Sequence, residues 1–426
     1  MKSKQVNKFQ VNKNGSLPNH WDIKKLHQVC DIFSGGTPST KNPEYWNGDI
    51  PWLSSGETRN NFIFETDRKI TKAGVKNSST RLAKIHDVVV ASAGQGNTRG
   101  QVSLCLIDTY INQSVLALRA KKDILNPIFL FYNLKSRYKE FRRVSDSYSS
   151  RGSLPKSLLE TLDILLPPLE VQERISTILY DLDYQVYYLI RLNQLLEKII
   201  QSIFKSWFLD FDNHKKFDNL EVGKIPKNWK VKLVDVVCKT IYRYPTFYGF
   251  QKIQKGIPVV RTEHILDDGW LSDDFSNYYH ISKEDSQKFP KTILELYDTV
   301  ISVRGEYSGK PALVSKNHVG NQISPNCIRL SADKNKINPL YLYYSIKQDL
   351  FKKELRSTIS TSAIPGIKAK DIKEMKIIVP DVETQIKFEN VVVPLIKKIE
   401  NNKISILHLE KTHDFILPEL ISGKII

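Results

Sequence analysis

VQERISTILYDLDYQVYYLIRLNQLLEKIIQSI, residues 171–203, decides how this chain is built. Its apolar residues fall at Val171, Ile175, Ile178, Leu182, Leu189, Leu192, Leu196, Ile199 and Ile203, and Gln185 alone breaks the alternating steps of four and three. A period of about 3.5 predicts a helix whose narrow apolar seam faces another helix. No Pro or Gly interrupts the stretch from Glu170 to Leu220. A helix from about Glu170 to Trp207 spans roughly 55 Å.

The partner helix is expected at the C-terminal end of the sequence. Val392, Leu395, Ile399, Ile406, Leu409, Ile416 and Leu420 keep the same spacing. Asn402 and His413 occupy seam positions, where a polar residue costs stability but fixes register. Pro394 predicts a break or restart, with the proline in a first helical turn. His413 reads as a seam residue and not a ligand, since no His or Cys lies at metal spacing from it.

Outward from these helices the chain reads twice. Pro18-Asn-His-Trp21 returns as Pro226-Lys-Asn-Trp229, and Ile50-Pro51 as Ile257-Pro258. Asp87-Val-Val-Val-Ala-Ser-Ala-Gly94 returns as Asp298-Thr-Val-Ile-Ser-Val-Arg-Gly305. Asn126-Pro127 returns as Asn338-Pro339, Leu165-Leu-Pro167 as Ile378-Val-Pro380, and Gln172 as Gln385. An ordered series of matches at a nearly constant offset means two copies of one unit. Each unit predicts buried strands early, a Pro-led aromatic helix, a loop (145–153, then 357–362), a strand and a long helix. Trp21, Trp229, Phe131, Tyr132 and Tyr343 are expected in the cores. Trp207 and Phe208 pack under the second domain or receive a partner helix. The fold class is α+β: two homologous β-rich domains separated by a long antiparallel two-helix coiled coil. The expected boundaries are 1–168, 169–212, 213–380 and 381–426.

Sixty-three Lys and Arg against 46 Asp and Glu give a formal charge of +17, which suits a polyanion such as nucleic acid. Cys30, Cys105, Cys238 and Cys327 stand alone, as buried thiols in a reducing compartment do. There is no signal-peptide pattern at the start and no apolar run of membrane-spanning length, so the expected location is cytoplasmic.

The organisation resembles the specificity subunits of type I restriction–modification systems. The resemblance is carried by the starts at Trp21 and Trp229, by Leu166-Pro-Pro-Leu-Glu-Val-Gln-Glu-Arg-Ile175, and by Ser202-Ile-Phe-Lys-Ser-Trp-Phe208 with Asp210-Phe211. The ending Leu417-Pro-Glu-Leu-Ile-Ser-Gly-Lys424 completes it. It implies two target-recognition domains, each reading half of a bipartite site in double-stranded DNA. It implies two methyltransferase subunits that use S-adenosylmethionine, and restriction subunits that use ATP and Mg. It implies no catalysis and no cofactor in this chain. The residues alone agree on a ruler: roughly 55 Å of helix matches about 16 base pairs.

Chemistry of other kinds is not found. Asn126-Pro-Ile-Phe129 and Asn338-Pro-Leu-Tyr341 depart from the Asn-Pro-Pro-Phe of amino-methyltransferases, and read as helix caps followed by a first-turn proline. Gly94-Gln-Gly96 and Ser308-Gly-Lys310 do not form a phosphate loop. Three alternatives stay open: a type IIB-like recognition subunit, a stand-alone methyltransferase or nuclease, and a coiled-coil scaffold.

DNA-reading residues should sit on equivalent loops and differ between copies. Arg pairs with guanine and Asn or Gln with adenine, while Lys, Ser, Thr and Tyr serve phosphates. The first set is Thr37, Ser39 and Lys41, then Arg243, Tyr244 and Tyr248. The second is Arg59, Asn60 and Asn61, then Arg261, Glu263 and His264. The third is Gln95, Asn97 and Arg99, then Arg304, Glu306 and Tyr307. The fourth is Tyr148, Ser149, Ser150 and Arg151, then Thr358, Ser360 and Thr361.

Overall fold

The computed structural model describes residues 21–94, 96–148, 152–212, 214–220, 223–244, 251–304, 308–358 and 366–425. The chain forms two compact units. One runs up to Tyr187 and resumes at His408; the other runs from Tyr188 to Leu407. The division passes through both long helices, so each unit owns part of each.

In the first unit the run Val88–Ala91 is a strand buried along its whole length. It lies between Val115–Ala120 and Val102–Cys105, antiparallel to both. Cys30–Ser34 and Phe62–Ile63 form the edges of this sheet. A second sheet pairs Trp46–Leu53 with Thr109–Ile111 in parallel. The second unit repeats the plan. Its main sheet runs Cys238–Arg243, Cys327–Ala332, Thr299–Ser302, Pro311–Leu313, and Ile257–Val260 pairs with Gln322–Ile323 in parallel. Even the ion pair across the main sheet recurs, Arg119 with Asp87 and Arg329 with Asp298, each at 2.6 Å.

The Pro-led helices Pro127–Lys135 and Pro339–Ile346 cover these sheets. Asn126 and Asn338 cap them, each Oδ1 accepting two backbone N–H groups. Trp21, Trp229, Phe131, Tyr132 and Tyr343 are all buried. Each Trp-led start pairs with the strand that closes its unit, Asp22–Lys25 with Asp163–Leu166 and Lys230–Leu233 with Lys376–Val379. Cys30, Cys105 and Cys327 are buried free thiols, while Cys238 is only partly covered.

The long helices are Leu169–Phe208 and Val382–Ile421, 40 residues each, so about 60 Å long. They run antiparallel. In the first unit Ile175 and Leu179 share a core with Leu417 and Leu420. In the second, Ile200, Phe204 and Phe208 meet Phe388, Val392, Ile396 and Ile399. Trp207 and Phe208 therefore pack within the second unit, against Trp229, Tyr341 and Phe388.

Three expectations are corrected. Ile178 and Ile199 are 46% and 39% exposed, whereas their neighbours Leu179 and Ile200 are fully buried. Leu182, Leu189, Leu192, Leu196, Ile203, Leu395, Ile406 and Leu409 are half-buried. The first helix buries a wider stripe than a two-helix seam because it also packs on each unit's Pro-led helix, through Ser176 with Asn126 and Phe204 with Tyr341. Secondly, Pro394 does not break the second helix. Pro394 and Asn390 are both exposed, so water can satisfy the Asn390 carbonyl that loses its donor. Thirdly, the loop expected at 145–153 begins later, because Tyr138–Tyr148 is helical. Ser145 is buried there, its Oγ bonded to the Arg142 carbonyl.

Candidate nucleic-acid interface

Several segments of the second unit meet around a cleft of about 630 Å³. Arg243 ends one wall strand, Arg261 follows another, and Arg304 follows the buried strand Thr299–Ser302. Lys252, Tyr279 and Asn326 complete the rim. Among the described residues that line it, four cations stand against the single carboxylate of Glu263, a concave, positive surface suited to an anionic strand. Its parts are held differently. Arg243 Nε donates to the Pro325 carbonyl at 2.7 Å. Arg261 donates to the Asn277 carbonyl at 3.1 Å and pairs with Glu263. Lys252 Nζ and the Arg261 guanidinium stand 5.0 and 5.4 Å from the Tyr279 ring centre. Arg304 is exposed and makes no hydrogen bond or ion pair among the described residues.

The cleft thus gathers Arg243, Arg261 and Arg304 from three separate sequence sets. Two other candidates are buried, Tyr244 among the residues that line the cleft. Tyr244 is buried, its ring 4.9 Å from that of Phe289. His264 is buried and stacked on Tyr278 at 3.6 Å, with Nδ1 accepting the Arg261 N–H. Burial, aided by Arg261, pushes its pKa down to about 4. Thr358 is exposed, its hydroxyl bonded to the Leu355 carbonyl at the end of a helix. Tyr248, Glu306, Tyr307, Ser360 and Thr361 lie outside the described residues.

In the first unit Lys41, Arg59, Asn60 and Asn97 are exposed. Arg59 and Asn60 close a short helical turn whose entry is fixed by Glu57 accepting the Ser54 N–H at 2.8 Å. Lys41 stands on a different turn, ahead of Pro43–Tyr45. The turn bearing Asn97 is held from behind, since Tyr138 and Arg142 donate to the carbonyls of Asn97 and Gly96. Arg99 corrects its expectation. It is 7% exposed, with Nε on Ser145 at 2.7 Å and a terminal nitrogen on Asp146. A guanidinium engaged this way clamps the strand turn to the helix Tyr138–Tyr148. Tyr148 ends that helix; Gln95, Ser149, Ser150 and Arg151 lie outside the described residues.

Sequence reasoning missed Lys252, Tyr279 and Asn326, which line the same cleft. It also missed two carboxylates of the first long helix, Asp183, which is buried, and Glu197, which is half-buried. Asp183 takes the Lys135 ammonium at 2.9 Å and the Tyr132 hydroxyl at 3.2 Å, with Asn61 at 3.3 Å. Glu197 does the same in the second unit, with Lys347 at 2.7 Å and Tyr344 at 3.2 Å. The recurring Tyr and Lys of the Pro-led helices were the available signal.

Among the described residues no group of three or more His, Cys, Asp or Glu could hold a metal ion, and no helix is long and apolar enough to cross a membrane.

A doubled α+β unit with polar loops and a cationic cleft, joined by two long helices, is the plan of a sequence-reading DNA protein. Residues 18–199 and 226–411 both match the family described as the type I restriction modification DNA specificity domain, and the chain belongs to that family. It is 28% identical over 427 residues to the type I restriction enzyme MjaIX specificity subunit of Methanocaldococcus jannaschii, covering 96% of this chain and 95% of that one. It is 23% identical to the HindI specificity subunit of Haemophilus influenzae, over 88% and 94% of the two chains. The crystal structure of the type I restriction-modification S subunit from M. genitalium shares the fold, with a TM-score of 0.65 at 17% identity and coverage of 95% and 97%.

Proposed function

We propose that this chain is the DNA sequence-specificity subunit of a type I restriction–modification complex. Each repeat reads one half of a bipartite site, and the helix pair sets the number of unread base pairs between the halves. The observation that carries this is the doubled plan with unlike side chains at matching places, such as Ala93 in one copy and Arg304 in the other. Equivalent scaffolds with different loop chemistry suit two different half-site sequences.

In this reading the chain contributes recognition and no catalysis. Methyltransferase subunits bring S-adenosylmethionine and modify an adenine in each half-site. Restriction subunits bring ATP and Mg. The domains divide functionally as residues 1–168 and 213–380 for reading, and 169–212 and 381–426 for spacing and docking. Lys41, Arg59, Asn60 and Asn97 serve the first half-site; Arg243, Arg261, Arg304 and Thr358 serve the second.

Sequencing methylated adenines in host DNA, with and without the gene, tests the proposal. The expected result is one split motif that disappears on deletion. An unsplit motif, or one that survives deletion, would overturn it.

A further inference from the structure

We infer that Arg304 reads a guanine in the half-site bound by the second repeat. This rests on the DNA-reading proposal above and assigns one base and one side chain within it. Guanine offers O6 and N7 as paired acceptors in the major groove, and a free guanidinium fork matches them. A reader must therefore be unengaged, yet rigidly placed.

Arg304 meets both conditions. It lies two residues beyond the strand Thr299–Ser302, every residue of which is buried. Its neighbour Val303 is pinned on both sides, donating to the Asn326 carbonyl at 3.0 Å and accepting from Ile367 N–H at 3.1 Å. The side chain itself is exposed on the cleft with its donors uncommitted among the described residues. The other two cleft arginines are already spending donors, Arg243 on Pro325 and Arg261 on Asn277 and Glu263. Lys252 is an exposed point charge beside Tyr279, which suits a phosphate. The first repeat places Ala93 where the second has Arg304, so this guanine requirement belongs to the second half-site alone.

The test uses the full chain assembled with its methyltransferase partner. Duplexes carry the mapped site with each second-half guanine replaced in turn by 7-deazaguanine, which keeps base pairing but lacks the N7 acceptor. At one position the wild-type complex should lose about 5- to 150-fold in affinity. The Arg304→Ala complex should bind the normal site that much more weakly, show no further loss on the 7-deaza duplex, and methylate sites relaxed at that position only. Lys252→Ala should bind all duplexes less tightly and keep the 7-deaza sensitivity. A second half-site with no guanine on either strand would overturn the assignment. So would wild-type tolerance of 7-deazaguanine throughout, or an Arg304→Ala complex as sensitive as wild type. A wild-type complex that methylates no split site would overturn the DNA-reading proposal itself, and this assignment with it.

Discussion

Asn402 of the second long helix donates through Nδ2 to Oδ1 of Asn193 on the first, at 2.7 Å. Asn402 is 3% exposed and Asn193 half-buried, so this polar pair is largely screened from water. Only one alignment of the helices lets the two amides meet, which is how a buried polar pair selects register. Asn402→Leu leaves Asn193 without its donor and should cost about 1–3 kcal/mol. Asn193→Leu with Asn402→Leu should recover most of that loss. Urea denaturation of the two single variants and the double variant measures the coupling; additive losses would contradict it.

Gln172 accepts the Asn126 N–H at 2.8 Å and donates to the Pro167 carbonyl at 2.8 Å. Gln385 repeats this with Asn338 at 2.7 Å and Pro380 at 2.8 Å. Both glutamines are buried and join the start of a long helix to the cap of a Pro-led helix. Gln172→Ala and Gln385→Ala should each lower stability by about 1 kcal/mol or more, since each strands the N–H of a half-buried cap residue. Amide exchange at Asn126 and Asn338 should rise accordingly.

His264 is held neutral by its burial, with its pKa down at about 4 against an ordinary 6.5. Above pH 6.5 it is neutral both folded and unfolded, and contributes no pH dependence. Between pH 6.5 and about 4 the unfolded chain binds a proton that the folded chain refuses, so stability falls by roughly 3 kcal/mol across that window. His318 and His413 shift downward for the same first cause and add to the loss. His264→Asn keeps an acceptor for the Arg261 N–H without titrating near neutrality. Its unfolding midpoint should fall less steeply on acidification than that of the wild type.

Arg99→Ala should act on folding, not on reading. Removing a buried guanidinium that ties the turn after Val88–Ala91 to the helix Tyr138–Tyr148 should cost about 1–3 kcal/mol. Thermal unfolding measures the loss. The methylation motif should keep every base of both half-sites.

The repeat was legible because it was written into positions that build the same structure twice. Trp21 and Trp229, Asn126 and Asn338, and Gln172 and Gln385 each land in matching roles. Periodicity located the first long helix within a residue or so, yet misjudged its face at Ile178 and Ile199. A 3.5 period describes two helices alone, whereas this helix also carries domains. Loop residues were harder. Arg99, Tyr244 and His264 look like readers by residue type, but tertiary packing buries them, and nothing local in the sequence separates them from Arg304.

Shortening both long helices together tests the spacing claim most directly. Removing residues 188–194 with 401–407 takes out seven residues from each, including both members of the Asn193–Asn402 pair. A seven-residue cut rotates the rest of each helix by only about 20°, so the faces stay matched. It shortens each helix by roughly 10 Å, the rise of about three base pairs. Sequencing of methylated sites made by the shortened protein should find the same two half-sites with about three fewer base pairs between them. The same half-sites at an unchanged gap would contradict the account.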